Sequence, residues 1–180
     1  KATEAFSVFN AKTFLFAIDD GCGLTTALKY LGKLIQGLEL FEFTEGYQEI
    51  EVVVENNEKD PWAQITAVDK FKHKMISFDI SSFVNHTEDP RFRKMLRRLA
   101  EIQKDYIFVF RIPGIEGIAL EKMYQAIYDV MCVRLIPFPQ YTYKEYFMFF
   151  ERVVEKYQMQ VDPNAREAFN AMMLDEKSKG

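Results

Sequence analysis

Apolar and polar positions along the chain follow two rhythms. Thr13–Ile18 (TFLFAI) is a short unbroken apolar run of strand type. From Leu24 onward, apolar residues recur at Ala27, Leu28, Leu31, Leu34 and Ile35, the spacing of one helix face. Glu39–Thr44 reads as a strand, and Glu49–Glu55 alternates into a run of valines. Gln64–Val68 reads as a hairpin partner across the turn residues Asn56, Asn57, Asp60 and Pro61. Lys74–Ile80 (KMISFDI) is the next strand. Asp89 and Pro90 then open a helix that carries Phe92, Met95, Leu96 and Leu99 on one face, with proline at the first position, where its missing amide costs nothing. Tyr106–Ile112 (YIFVFRI) is apolar almost throughout, as expected of a strand buried on both faces of a parallel sheet. Leu120, Met123, Tyr124, Ile127 and Met131 mark a further helix, and Val133–Phe138 a last strand.

This alternation predicts an α/β fold of right-handed βαβ units with a mostly parallel sheet. Near Pro137–Pro139 the pattern becomes purely helical, so the expected organisation is an α/β core over residues 1–139 and a small helical subdomain over 140–180. Thr142 and Glu145 form a capping box ahead of Tyr146, Phe147, Phe150, Val153 and Val154. Asp162 and Pro163 start another helix, with Ala165, Ala168, Phe169 and Met172 expected to face inward. Phe147, Phe149 and Phe150 are too many for one buried stripe, so part of this aromatic set is expected to meet a neighbour.

Composition narrows the picture. With 48% apolar residues, 17 Phe and 9 Tyr, the chain is a folded one, and 180 residues suit one domain with a small appendage. A net charge of −4 leads to the expectation of no nucleic-acid partner. Arg91, Arg93, Lys94, Arg97 and Arg98 then read as the solvated face of an amphipathic helix. Cys22 and Cys132 lie far apart without metal-ligand spacing, which suits a reducing, cytoplasmic setting. His73 and His86 also lack ligand spacing and read as ordinary histidines. No apolar run approaches a membrane span, so no membrane partner is expected. The chain starts at Lys1 without a methionine, and its N-terminus is expected to have been trimmed.

The candidate chemistry lies between the first strand and the first helix, in Ile18-Asp19-Asp20-Gly21-Cys22-Gly23-Leu24-Thr25-Thr26. Strand, glycine loop and helix form the context of a Walker A phosphate loop, in which backbone amides converge on phosphates at a helix N-terminus. Against GxxxxGK(S/T), Gly23 and Thr25 are kept, with Gly21 as an inner glycine. Ile18 replaces the first glycine and Leu24 the lysine. Leucine offers the phosphates neither charge nor donor. Asp19 and Asp20 place negative charge where phosphates would lie. The bland alternative is a glycine turn between a strand and a helix.

Taken in order, these parts resemble an AAA+ ATPase of the P-loop NTPase superfamily, in the group of sporulation stage V protein K and red-type Rubisco activase. NAKTFLFAIDDGCGLTT stands where that group has its first strand and Walker A loop, KMISFDISSF at the Walker B strand, and YIFVFRIPGIE at the sensor-1 strand. The segment IPFPQYTYKEYFMFFERVVEKYQMQVDPNAREAF is similar to the junction between core and lid. The resemblance implies a three-layer core followed by a partial helical lid, in a piece of a larger protein. It implies a vestigial nucleotide site at Gly21, Cys22, Gly23, Leu24, Thr25 and Thr26, with Asp79 as the magnesium-associated aspartate only if a nucleotide binds. Ile80 stands where the water-polarising glutamate belongs, no Asn or Thr stands near Arg111 or Ile112 for sensor 1, and Arg134 is displaced from the arginine-finger position near Asp129 to Met131. No catalytic residue is therefore assigned.

The resulting expectation is a pseudo-ATPase domain that acts through protein contacts, with other AAA+ subunits or the rest of a larger chain. The alternative is an ATP-binding AAA+ enzyme with weak hydrolysis, using loop amides from Asp20 to Thr25 and Thr25 and Asp79 on magnesium. A third class is a doubly wound domain that binds another small ligand at the loop after the first strand.

Overall fold

Five strands, all parallel, form the sheet in the computed structural model, which describes residues 12–37, 47–52, 61, 73–160, 162, 164–165, 167–169 and 171–172. They are β1 (Thr13–Ala17), β2 (Tyr47–Glu51), β3 (Met75–Asp79), β4 (Ile107–Ile112) and β5 (Arg134–Pro137), in the spatial order β2-β3-β4-β1-β5. The expected strand at Glu39–Thr44 and the hairpin partner at Gln64–Val68 lie outside the described residues. The strand expected from Glu49 begins two residues earlier, at Tyr47.

Four helices follow the expected spacing: α1 (Leu24–Gly37), α2 (Pro90–Ile102), α3 (Gly117–Tyr128) and α4 (Tyr143–Lys156). The α2 start is built as its sequence suggests, with the Asp89 side chain accepting from the Arg91 amide and Pro90 at the first helical position. Phe92, Met95, Leu96 and Leu99 are all buried. In α1, Leu28, Leu31 and Ile35 are buried, whereas Leu34 is half exposed and Leu24 only partly covered, so the buried stripe is narrower than the apolar one.

Alternation along the strands sorts their side chains to two faces. Leu15, Ala17, Ile76, Phe78, Phe108, Phe110 and Ile112 share one core cluster with α2 and α3. The register brings Leu15 and Phe78 level with Phe110, and Ile76 level with Phe108. The crossover from β1 through α1 to β2 runs across β4 and β3, opposite in direction to those through α2 and α3. Right-handed crossovers of opposite direction place their helices on opposite faces of the sheet. β1 and β4 are buried along their whole length, as strands covered on both faces must be, while β2 and β5 are partly exposed.

The chain divides into two compact units, Lys1–Pro139 and Gln140–Gly180. In the second, the capping box opens α4: the Thr142 hydroxyl accepts from the Glu145 amide, and the Glu145 carboxylate accepts from the Thr142 amide. The Thr142 amide first, and then the Thr142 hydroxyl donating to the same carboxylate at 2.8 Å, hold the Glu145 carboxyl below its ordinary range. Phe147 and Val154 are buried, and Phe147 meets the Phe169 ring edge-on at 5.6 Å. The inward face expected after Asp162 is only partly realised, because Ala168 and Met172 are exposed. Phe149, Phe150 and Val153 are also substantially exposed.

Candidate functional site

The reversal of crossover direction between β1 and β4 opens a crevice at their carboxyl ends, the place where open α/β sheets put ligands. Three segments meet there: the loop after β1, the end of β3 and the turn after β4. The backbone ties them together first, with the Ile18 amide donating to the Ile112 carbonyl at 2.9 Å and the Ile80 amide to the Arg111 carbonyl at 3.0 Å.

The loop after β1 is a tight turn closed by the Cys22 amide on the Asp19 carbonyl at 3.2 Å. Gly21 and Gly23 take φ values of +76° and +92°, a region that L side chains rarely adopt. These glycines let the chain reverse and enter α1 at Leu24, with the Ala27 amide on the Gly23 carbonyl at 2.9 Å. Cys22 is buried, Leu24 half-buried, and Thr25 and Thr26 exposed.

The centre of the crevice is occupied by the guanidinium of Arg111, expected only as a position where a sensor-1 residue is missing. Its alternation in β4 puts it level with Phe16 of β1 and Asp79 of β3. Its side chain is only 7% exposed, and a charge that dry must be paired. Nη1 donates to Asp79 Oδ2 at 2.8 Å and to Ser81 Oγ at 3.1 Å. Nη2 donates to Asp20 Oδ1 at 2.6 Å, and Nε to the Ile18 carbonyl at 3.2 Å. The other Asp79 oxygen, Oδ1, accepts from the Ser81 amide at 3.0 Å and from its hydroxyl. Asp19 turns to the other side, where Oδ1 accepts from the Gly114 amide at 2.7 Å.

The sequence reading set Asp19 and Asp20 as charges opposing a phosphate. Instead, each is a ligand to this chain's own groups. Asp79, expected as a magnesium-associated residue, has both oxygens engaged. A magnesium–nucleotide does not fit this arrangement, because the cation on Asp79 would have to displace a buried guanidinium. Ile80 is fully buried and offers no base. Among the described residues, no group of three His, Cys, Asp or Glu side chains is placed to hold a metal ion. The signal for Arg111 was present in YIFVFRI: one charged residue inside a buried strand requires a partner of opposite sign.

No family model and no curated protein matches the chain. Among solved structures it is similar to the Orc1 protein of Aeropyrum pernix in complex with DNA, at 15% identity and a TM-score of 0.45, over 80% of this chain and 44% of that one. The likeness is one of fold alone. The chain spans less than half the length of that protein, and its own α/β architecture rests on the parallel sheet. The expectation of no nucleic-acid partner is corrected: the similar structure is a complex with DNA, and a net charge of −4 does not exclude such a partner. Its physical error was to treat a net charge of −4 as uniform, although charge averaged over a chain says nothing of one helix face. Among the described residues, no helix is long and apolar enough to cross a membrane.

Proposed function

We propose that this chain carries a degenerate AAA+-like domain, of the group of sporulation stage V protein K and red-type Rubisco activase, that works through protein contacts and not through ATP hydrolysis. The observation that carries this reading is the Arg111 guanidinium held between Asp20 at 2.6 Å and Asp79 at 2.8 Å. In a working centre of this kind, a lysine and a magnesium ion neutralise the phosphates. Here Leu24 removes the lysine, and Arg111 supplies the counter-charge to Asp79 that a metal would supply. The crevice thereby carries a fixed cation of its own between two carboxylates.

The residues at Gly21–Thr26 are then a retained turn serving the Asp19 and Asp20 contacts. Residues 140–180 are read as a partial lid. The exposed Phe149, Phe150 and Val153 of α4 are the groups through which the lid would meet other AAA+ subunits or the rest of a larger chain. With neither Cys22 nor Cys132 in a disulfide, we propose a reducing, cytoplasmic setting.

Isothermal titration with ATP and magnesium, alongside a phosphate-release assay, tests the reading. No heat of binding and no turnover are expected. ATP turnover by the unmodified chain overturns it and favours the second reading, an ATP-binding enzyme. That alternative draws support from the left-handed Gly21 and Gly23, which aim a turn of backbone at the start of α1.

A further inference from the structure

Helix α2 separates its residues by chemistry. Every large apolar side chain from Phe92 to Leu99 points into the core, while Arg93, Lys94, Arg97 and Arg98 lie on the opposite side of the helix. These four form two rows, Arg93 with Arg97 and Lys94 with Arg98, each pair four residues apart and therefore about 6 Å apart along the axis. The helix has 13 residues and spans about 20 Å.

Arg93 and Arg97 are open to exchange. Arg93 meets Glu88 at 2.7 Å, with Arg93 partly and Glu88 largely in water, where such a pair is readily replaced. Lys94 and Arg98 have interactions of their own within the chain. Arg97 is exposed, with no hydrogen bond or ion pair among the described residues. A cleft of about 250 Å³ runs beside the ridge, lined by Arg93, Arg97, Ala126, Asp129 and Val130.

We infer that the ridge Arg93, Lys94, Arg97 and Arg98 is a docking surface for the phosphate backbone of a nucleic-acid duplex, read without regard to sequence. Charge complementarity selects an anionic partner, and three of the four groups are guanidiniums, whose planar donor fork matches phosphate oxygens. The exposed side of α2 has no large apolar or aromatic anchor. Protein interfaces draw most of their binding from such anchors, so an acidic protein is the poorer fit. Single strands bind by stacking bases on aromatic rings, and none is present on this ridge. What remains is backbone contact with a duplex, which needs regularly spaced cations alone. Asp129 at the cleft and the exposed Glu101, one turn beyond Arg97 on the same face of α2, repel phosphate and bound the footprint. The rest of the chain is acidic, but its charges act only weakly beyond about 10 Å at 0.1 M salt.

The test is fluorescence polarisation with a labelled DNA duplex of roughly 15 base pairs, about 50 Å long, titrated from roughly 50 to 200 mM salt. Four phosphate contacts predict a slope of log affinity against log salt of about −3.6. Arg97→Glu and Arg98→Glu are each expected to weaken binding by about tenfold at low salt and to flatten that slope by about one. Asp129→Asn should tighten it. Circular dichroism of each variant checks that the fold is retained. Absence of binding at the lowest salt, or an unchanged slope in the folded Arg97→Glu variant, overturns the proposal. So does a poly-glutamate peptide of equal charge, or a single-stranded oligonucleotide, that binds as tightly as the duplex.

Discussion

Arg111 and Arg97 lie on opposite sides of one question, what a guanidinium does when it is dry and what it does when it is wet. Arg111 is buried in the crevice and surrounded by Asp20, Asp79, Ser81 and the Ile18 carbonyl. Arg97 stands on the solvent side of α2 with no such partner among the described residues. A dry guanidinium is committed to whatever neutralises it, because leaving it unpaired costs several kcal/mol. A wet one is already satisfied by water and stays free to exchange. The contrast teaches that the region with the richer charge chemistry is the one less able to accept a ligand.

The largest expected effect tests that commitment. Asp79→Ala leaves Arg111 buried with only the exposed Asp20 to balance it, and urea unfolding should show a loss of about 3–5 kcal/mol. Arg111→Met should be the milder change, about 1–3 kcal/mol, because the carboxylates left behind are better solvated, with Asp79 at 36% and Asp20 at 97% side-chain exposure. The reverse ranking would break the comparison.

Gly114→Ala comes next. A β-carbon there would lie 2.9 Å from Asp19 Oδ2 and 3.1 Å from its Cγ, and Asp19 is held in place by the Gly114 amide itself. Overpacking against a tethered group should cost about 1–3 kcal/mol, measurable in the same unfolding experiment. An undiminished stability would show that the loop after β1 moves freely and that the crevice is less rigid than its contacts imply.

The smallest effect belongs to the start of α2. The side-chain hydrogen bond from Arg91 is the largest cause holding the Asp89 carboxyl below its ordinary value of 3.8; burial opposes it as the next largest, and the Arg91 amide and charge add smaller lowering effects. A carboxyl depressed on folding contributes stability above its unfolded value and loses it as pH falls through the folded one. Asp89→Ala should therefore lower stability by about 1 kcal/mol at neutral pH, through loss of the cap. The difference from the unmodified chain should vanish once pH is taken well below 3.8. A difference that persists there would assign the effect to packing.

Much of the fold was legible because the periods of two and 3.6 were clean. The Phe92–Leu99 face, the Asp89 cap and the Thr142–Glu145 box are all local patterns that the structure reproduces. The crevice was only half legible. The glycine loop could be read from neighbouring residues, but the partners of Asp20 and Asp79 are 91 and 32 positions away, on β4. Which residue of β4 stands level with Asp79 is fixed by strand register, and one sequence does not state register. Arg111 was therefore seen as a missing sensor when it is the hub. The nucleic-acid expectation failed for a related reason, since a net charge holds no information about which side of a helix carries it. On the second unit, Ala168 and Met172 follow an inward helical period yet stand in solvent.

The two outermost described strands of the sheet have a consequence for how copies of this chain meet. β2 carries Glu49 and Glu51, both exposed, and β5 is four residues long, starts with the exposed Arg134 and ends in Pro137, which has no amide to donate. Charge, shortness and proline are the devices that discourage a foreign strand from zipping onto an open ladder. Concentrated protein should accordingly resist fibrillar growth by pairing along these two described strands.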